Sequence, residues 1–174
     1  MNASETDNSA PGTQPGSEAQ ARAIGEDMLA RTGQALLDGD WRAHVACFTI
    51  PHWLEGFDGH RQIDSVAGLR ELFLAASSYY RDHNVTDIHR NVVAAEFVAA
   101  DVVHFTHETR LLANTLLVKP VHSVFSEMVH GDDGVWRCRR CRYAVTGAPR
   151  LERALARAGA ATDPDMSAKE GDDD

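Results

Sequence analysis

Residues 86–146 read TDIHRNVVAAEFVAADVVHFTHETRLLANTLLVKPVHSVFSEMVHGDDGVWRCRRCRYAVT, and this stretch decides the fold. Apolar and polar residues alternate through most of it, the period of a half-buried strand. The alternation divides into strands at Thr86–Val93, Phe97–Leu112, Leu116–His130 and Val135–Thr146. Ala94-Ala95-Glu96 is expected to bend the chain, and Gly131-Asp132-Asp133-Gly134 is a strong hairpin turn. Helices first and an antiparallel sheet last predict an α+β fold: a half-open cone with N-terminal helices in the concavity of a curved, mostly antiparallel sheet.

Upstream the period changes to that of helices. Ala21, Ile24, Met28, Leu29, Ala35 and Leu36 recur near every 3.6 residues between Ser17, a capping residue, and Gly39-Asp40, a break. Asp40 stands where an N-cap belongs for a short helix through Trp41, Val45 and Phe48. Two short strands, Thr49–Glu55 and His60–Asp64, flank the turn Phe57-Asp58-Gly59. Ser65 opens a third helix through Leu69, Leu72, Phe73, Ala76 and Tyr80, ending near Asn84. Pro149–Ala158 reads as a short basic helix.

The 174 residues fit one domain over 17–158, flanked by disordered tails at 1–16 and 159–174. Most of the formal charge of −9 sits in those tails, which carry −2 and −5 and leave about −2 for the domain. Cys47, Cys138 and Cys141 make an odd count, no secretory leader is evident, and no apolar run is long enough to span a bilayer. The expectation is a cytoplasmic protein with reduced thiols that binds neither membrane nor nucleic acid.

The chain resembles the nuclear transport factor 2-like superfamily, in its SnoaL-like or polyketide-cyclase-like branch, over roughly residues 18–146. The resemblance rests on Gly39-Asp40-Trp41, Ile50-Pro51-His52, Asp58-Gly59, the Glu96-Phe97 to Val102 bend and Asp133-Gly134-Val135-Trp136-Arg137. It implies a cone-shaped fold, a deep pocket at the open end and a homodimer through the sheet. Such proteins include isomerases, dehydratases, cyclases, hydrolases and binders without catalysis, so the resemblance leaves chemistry open.

Strand parity nominates the pocket residues. A tight hairpin at 131–134 pairs His130 with Val135 and Val129 with Trp136, placing Ser123, Phe125 and Glu127 on one face with Trp136, Cys138, Arg140 and Arg142. The matching register adds Val103, Phe105, His107, Thr109 and Leu111, and this more aromatic face is set against the helices. A one-residue slip or a bulge would reverse it. His107 is the leading general-base candidate, since imidazole titrates near neutrality, and His52 beside Trp53 is the second. Glu127 diagonal to Arg140 suits binding better than base catalysis. Tyr79 and Tyr80 offer phenols to a ligand. A structural salt bridge beside a satisfied histidine, and tyrosines packed in the core, explain the same residues without function.

Cys138-Arg139-Arg140-Cys141 has redox or zinc spacing, but on a regular strand residues three apart face opposite ways, so the two sulfurs should not meet. His104 and His107 also differ in parity, and His122 is expected opposite His104 or Thr106; no metal is assigned. Seven arginines between 137 and 157 are split between faces by the same parity, which disfavours a nucleic-acid surface. No cofactor fingerprint is present. The favoured reading is a binder of an unidentified small molecule. The alternatives are a cofactor-free isomerase, dehydratase or cyclase using a pocket histidine, and a non-catalytic dimerisation module.

Overall fold

The structure is a computed structural model that describes residues 16–56 and 59–143. Helix α1 spans Glu18–Asp38, α2 Trp41–Val45 and α3 Val66–Asp82. Strands are β1 Phe48–Gly56, β2 Gly59–Ile63, β3 Asp87–Ala99, β4 Val102–Ala113, β5 Leu116–Leu117, β6 His122–His130 and β7 Trp136–Tyr143. The expected tails, apart from Gly16, and the Pro149–Ala158 helix lie outside the described residues.

Local chemistry sets the helix ends. Ser17 and Gln20 form a reciprocal capping box at α1, and Gly39 closes that helix at φ 69°, a left-handed conformation suited to glycine. Asp40 accepts from the Ala43 amide at 3.0 Å, and Ser65 accepts from the Gly68 amide at 3.1 Å. Each satisfies a first-turn N–H that has no partner within its helix.

The sheet runs β2-β1-β7-β6-β4-β3, with β5 beside β4. Every pairing is antiparallel except β1 with β7. All three helices pack against one face. Gly25 of α1 lies over the Phe105 ring, where an added Cβ would meet ring atoms at 3.1 Å. Arg22 also donates to the Val92 carbonyl. One core gathers Ala21, Met28, Leu29, Val103, Phe105 and Met128 under α1. A second joins Ile63, Leu69 and Leu72 to Trp41 and Leu54 beneath α2 and α3.

Four expectations about the sheet are corrected. The first is the single strand Leu116–His130, which is two strands, β5 ending at Leu117 and β6 starting at His122. The turn between β3 and β4 falls at Ala100–Asp101, and the bend expected at Ala94–Glu96 is instead an irregularity between Val92 and Ala94 inside a continuous β3. The hairpin after β6 is one residue longer than expected: Gly131 N–H donates to the Val135 carbonyl, and His130 pairs with Trp136. A bulge at Arg139 then leaves Met128 opposite Cys138 and Glu127 opposite Arg140.

Candidate functional site

These shifts re-sort the nominated side chains. The β4 assignment agrees with the structure: Val103, Phe105, His107, Thr109 and Leu111 are buried against the helices. On β6 the parity is the reverse of that expected. Val124, Ser126 and Met128 face inward, while Ser123, Phe125 and Glu127 lie on the outer face. Beyond the bulge β7 turns Cys141 and Tyr143 inward and Arg140 and Arg142 outward. Trp53 pairs with Arg140 in register and shares that outer face.

Ion pairs organise the outer face. Glu127 accepts from Arg139 Nε at 2.8 Å and contacts His104 Nε2 at 3.1 Å. Burial pushes the Glu127 carboxyl upward, but the Arg139 and His104 hydrogen bonds outweigh it and hold the pKa below the usual value. Arg142 Nε donates to Glu55 at 2.6 Å, and Arg140 Nη1 lies 3.4 Å from the same carboxylate. The Arg142 guanidinium sits 5.6 Å from the Phe125 ring centroid. The expected Glu127–Arg140 pocket pair is therefore a surface arrangement with different partners.

The inner face holds a different group: His107 on β4, His122 on β6, Arg90 on β3, His44 on α2 and His52 on β1. His122 pairs with Thr109 rather than with His104 or Thr106. Arg90 pairs with Thr109 and donates through Nη1 to Thr32 Oγ1 at 2.9 Å, and that hydroxyl donates to the Met28 carbonyl at 2.8 Å. His107 is pulled down to a pKa of about 3, by burial first and then by the charges of Arg90 and His122. His44 falls to about 4 through burial, Arg90 and His52. His122 also falls to about 4, through burial and then Lys119. All three imidazoles are neutral at physiological pH.

Their Nδ1 atoms are buried without a hydrogen-bond partner among the described residues. Such a group costs about 1–3 kcal/mol each when it has no partner. His52, by contrast, is engaged: its Nδ1 lies 3.2 Å from the Cys138 carbonyl, and its ring meets Phe48 edge-on at 5.0 Å. Tyr79 stacks on His83 at 4.0 Å, and burial raises the Tyr79 phenol. Tyr80 is half-buried beside it and couples electrostatically to Tyr143. The structure thus brings His107 and Phe105 to the inner face and places His52 at the β1–β7 seam. It does not unite them with Trp53, Ser123, Phe125, Glu127 or Arg140.

Arg90, His44 and Thr32 escaped the sequence reading, and His122 was weighed there only as a hint of metal. Arg90 had a signal, since Ile88, Arg90 and Val92 alternate with Asp87, His89 and Asn91. His44 stands three residues after Trp41, on the same side of a short helix. Among the described residues no cluster of three or more His, Cys, Asp or Glu could hold a metal ion, and no helix is long and apolar enough to cross a membrane.

Comparison with solved structures places this architecture. A protein with a cystatin-like fold from Nostoc punctiforme superposes with TM-score 0.57 at 17% identity, covering 75% of this chain and 94% of that one. An NTF2-like protein from Shewanella oneidensis matches with TM-score 0.55 at 13% identity, over 70% of this chain and 96% of the other. The fold is NTF2-like. The hexachlorocyclohexane dehydrochlorinase LinA-type3 from Novosphingobium barchaimii shares it with TM-score 0.52 at 17% identity, over 74% and 88% of the two chains. No family model matches the sequence, and no curated protein matches it. At these identities the likeness fixes the fold and leaves the chemistry to the side chains.

Proposed function

We propose that the NTF2-like domain binds one small molecule on its inner face, with an anionic or hydrogen-bonding head near Arg90. The observation that carries this reading is the set of neutral imidazoles, His44, His107 and His122, whose buried Nδ1 atoms lack partners among the described residues in the field of one guanidinium. Neutral imidazoles donate or accept as the ligand requires, and Arg90 supplies the fixed positive charge. A hydrophobic surround strengthens each contact by excluding water.

Proton-transfer catalysis is the weaker reading. A general base works best with a pKa near the operating pH, and His107 at about 3 is far below it. His52 is held against the Cys138 carbonyl. The dehydrochlorinase activity named above belongs to that protein. The expected homodimer would use the opposite, outer face, where Trp53, Phe125 and Val129 are interspersed with the ion pairs. Light scattering of the purified chain tests that part separately.

Anilinonaphthalene sulfonate, an apolar body with an anionic head, tests the binding site. The native protein should take up the dye saturably at one site, and Arg90→Met should weaken it at least about tenfold while circular dichroism stays native. Arg140→Met, on the outer face, should leave the affinity unchanged. Equal loss from both variants, or no saturable uptake by the native protein, would end this reading.

A further inference from the structure

The two sulfurs of Cys138-Arg139-Arg140-Cys141 should be on opposite faces of a regular strand. The Arg139 bulge removes that separation. With Cys138 opposite Met128 and Arg140 opposite Glu127, Arg139 is the extra residue, and both cysteines turn inward. Their Sγ atoms lie 3.4 Å apart, with Cys138 0% and Cys141 5% exposed. The Cys138 thiol also reaches the Arg140 carbonyl at 3.3 Å, and Ser126 Oγ lies 3.8 Å from Cys141 Sγ. The thiol–thiol contact with Cys138 holds the Cys141 thiol well below its ordinary pKa, with His52 and Ser126 adding to the effect against burial. The same contact, and then burial, push Cys138 up.

We propose that Cys138 and Cys141 form a redox-active dithiol that closes to an intramolecular disulfide with hydrogen peroxide as the oxidant. Burial of both sulfurs favours an oxidant this small. The Cys141 thiolate attacks one peroxide oxygen: an S–O bond forms, the O–O bond breaks, and hydroxide leaves to be protonated as water. Cys141 is then a sulfenic acid. The Cys138 sulfur attacks the Cys141 sulfur, the S–S bond forms, the S–O bond breaks, and a second water leaves with the Cys138 proton. Two thiols are oxidised by two electrons and one peroxide is reduced to two waters. Bonding requires the sulfurs to approach by about 1.3 Å, to the usual bond length of about 2.05 Å. That movement lies at the bulge, where the ladder is already interrupted. A dithiol reductant reverses the reaction by exchange.

Cys47 is the internal control. It is buried, its thiol is raised by burial, and its Sγ accepts from Arg31 Nη1 at 3.5 Å and donates to the Ala43 carbonyl at 3.4 Å. Reduced full-length protein should therefore go from three titratable thiols to one on treatment with hydrogen peroxide. The intact mass should fall by two hydrogen atoms. After trypsin cleavage at Arg139 and Arg140, the Cys138 and Cys141 peptides should remain joined until reduced. Cys138→Ser should stop at a sulfenic acid on Cys141 that dimedone traps, and Cys141→Ser should give no trapped adduct at Cys138. Three thiols persisting in the native protein would overturn the proposal, as would a disulfide that includes Cys47 or links two chains. These readouts come from the native protein, so a variant that fails to fold does not blunt them.

Discussion

The two faces of this sheet carry polar groups on opposite terms. On the outer face, charge meets charge at the solvent boundary: Glu127 with Arg139 and His104, Glu55 with Arg142 and Arg140. On the inner face Arg90 donates to the Thr32 hydroxyl, and three imidazoles keep Nδ1 atoms without partners among the described residues, against the single Arg140 Nε on the outer face. Partly exposed ion pairs contribute little net stability, because water solvates the same groups well in the unfolded chain. Buried groups without partners oppose folding, so their retention points to something other than stability. The difference teaches that the face richer in charge is the one whose charges are better paired.

Substitutions can break or sharpen that contrast. The largest effect should come from phenylalanines on either side. Phe105→Ala, under Gly25 of α1, should cost about 3–5 kcal/mol in urea unfolding. Phe125→Ala on the outer face should cost about 1 kcal/mol. Similar losses from the two would erase the distinction.

Next comes pH dependence. His107 has a folded pKa of about 3 against about 6.5 unfolded, so below pH 6.5 the unfolded chain binds the proton first. Stability should therefore fall as pH drops from about 6.5 toward 3, and His107→Asn should flatten that slope. Glu127 works through the depressed carboxylate case. Its pairing contributes above the unfolded pKa of about 4.3 and is lost as pH falls through the lower folded value. Glu127→Gln should cost at most about 1 kcal/mol at pH 7, and the gap to the native protein should close in acid. Asp40→Ala, which removes a cap away from both faces, should cost about 1 kcal/mol and calibrate the scale.

The helix starts and the inner set of β4 were readable because caps and alternation are local signals. The second helix, by contrast, was expected through Phe48 and ends at Val45, with Phe48 opening β1. Ser17, Gly39, Asp40 and Ser65 each announce themselves within a few residues. What eluded the sequence was phase. The hairpin after His130 is one residue longer than a tight turn, which exchanged Ser123, Phe125 and Glu127 for Val124, Ser126 and Met128. The Arg139 bulge then exchanged Arg140 and Arg142 for Cys141 and Tyr143. Nothing local in Arg139 or Arg140 marks which of two arginines will be extra. The choice is made by the partners, Met128 and Glu127, and by the burial they secure.

The parallel seam between β1 and β7 has a consequence for assembly. His52 meets the Cys138 carbonyl across 86 positions of chain, so β1 emerges from the ribosome long before its neighbour exists. Until β7 arrives, one edge of β1 has only water to bond with, and the hydrophobic layer under α1 is open on that side. Closure of so distant a pair carries a loop entropy that helices and hairpins do not face, so the β1–β7 seam is expected to form late as the interior is completed.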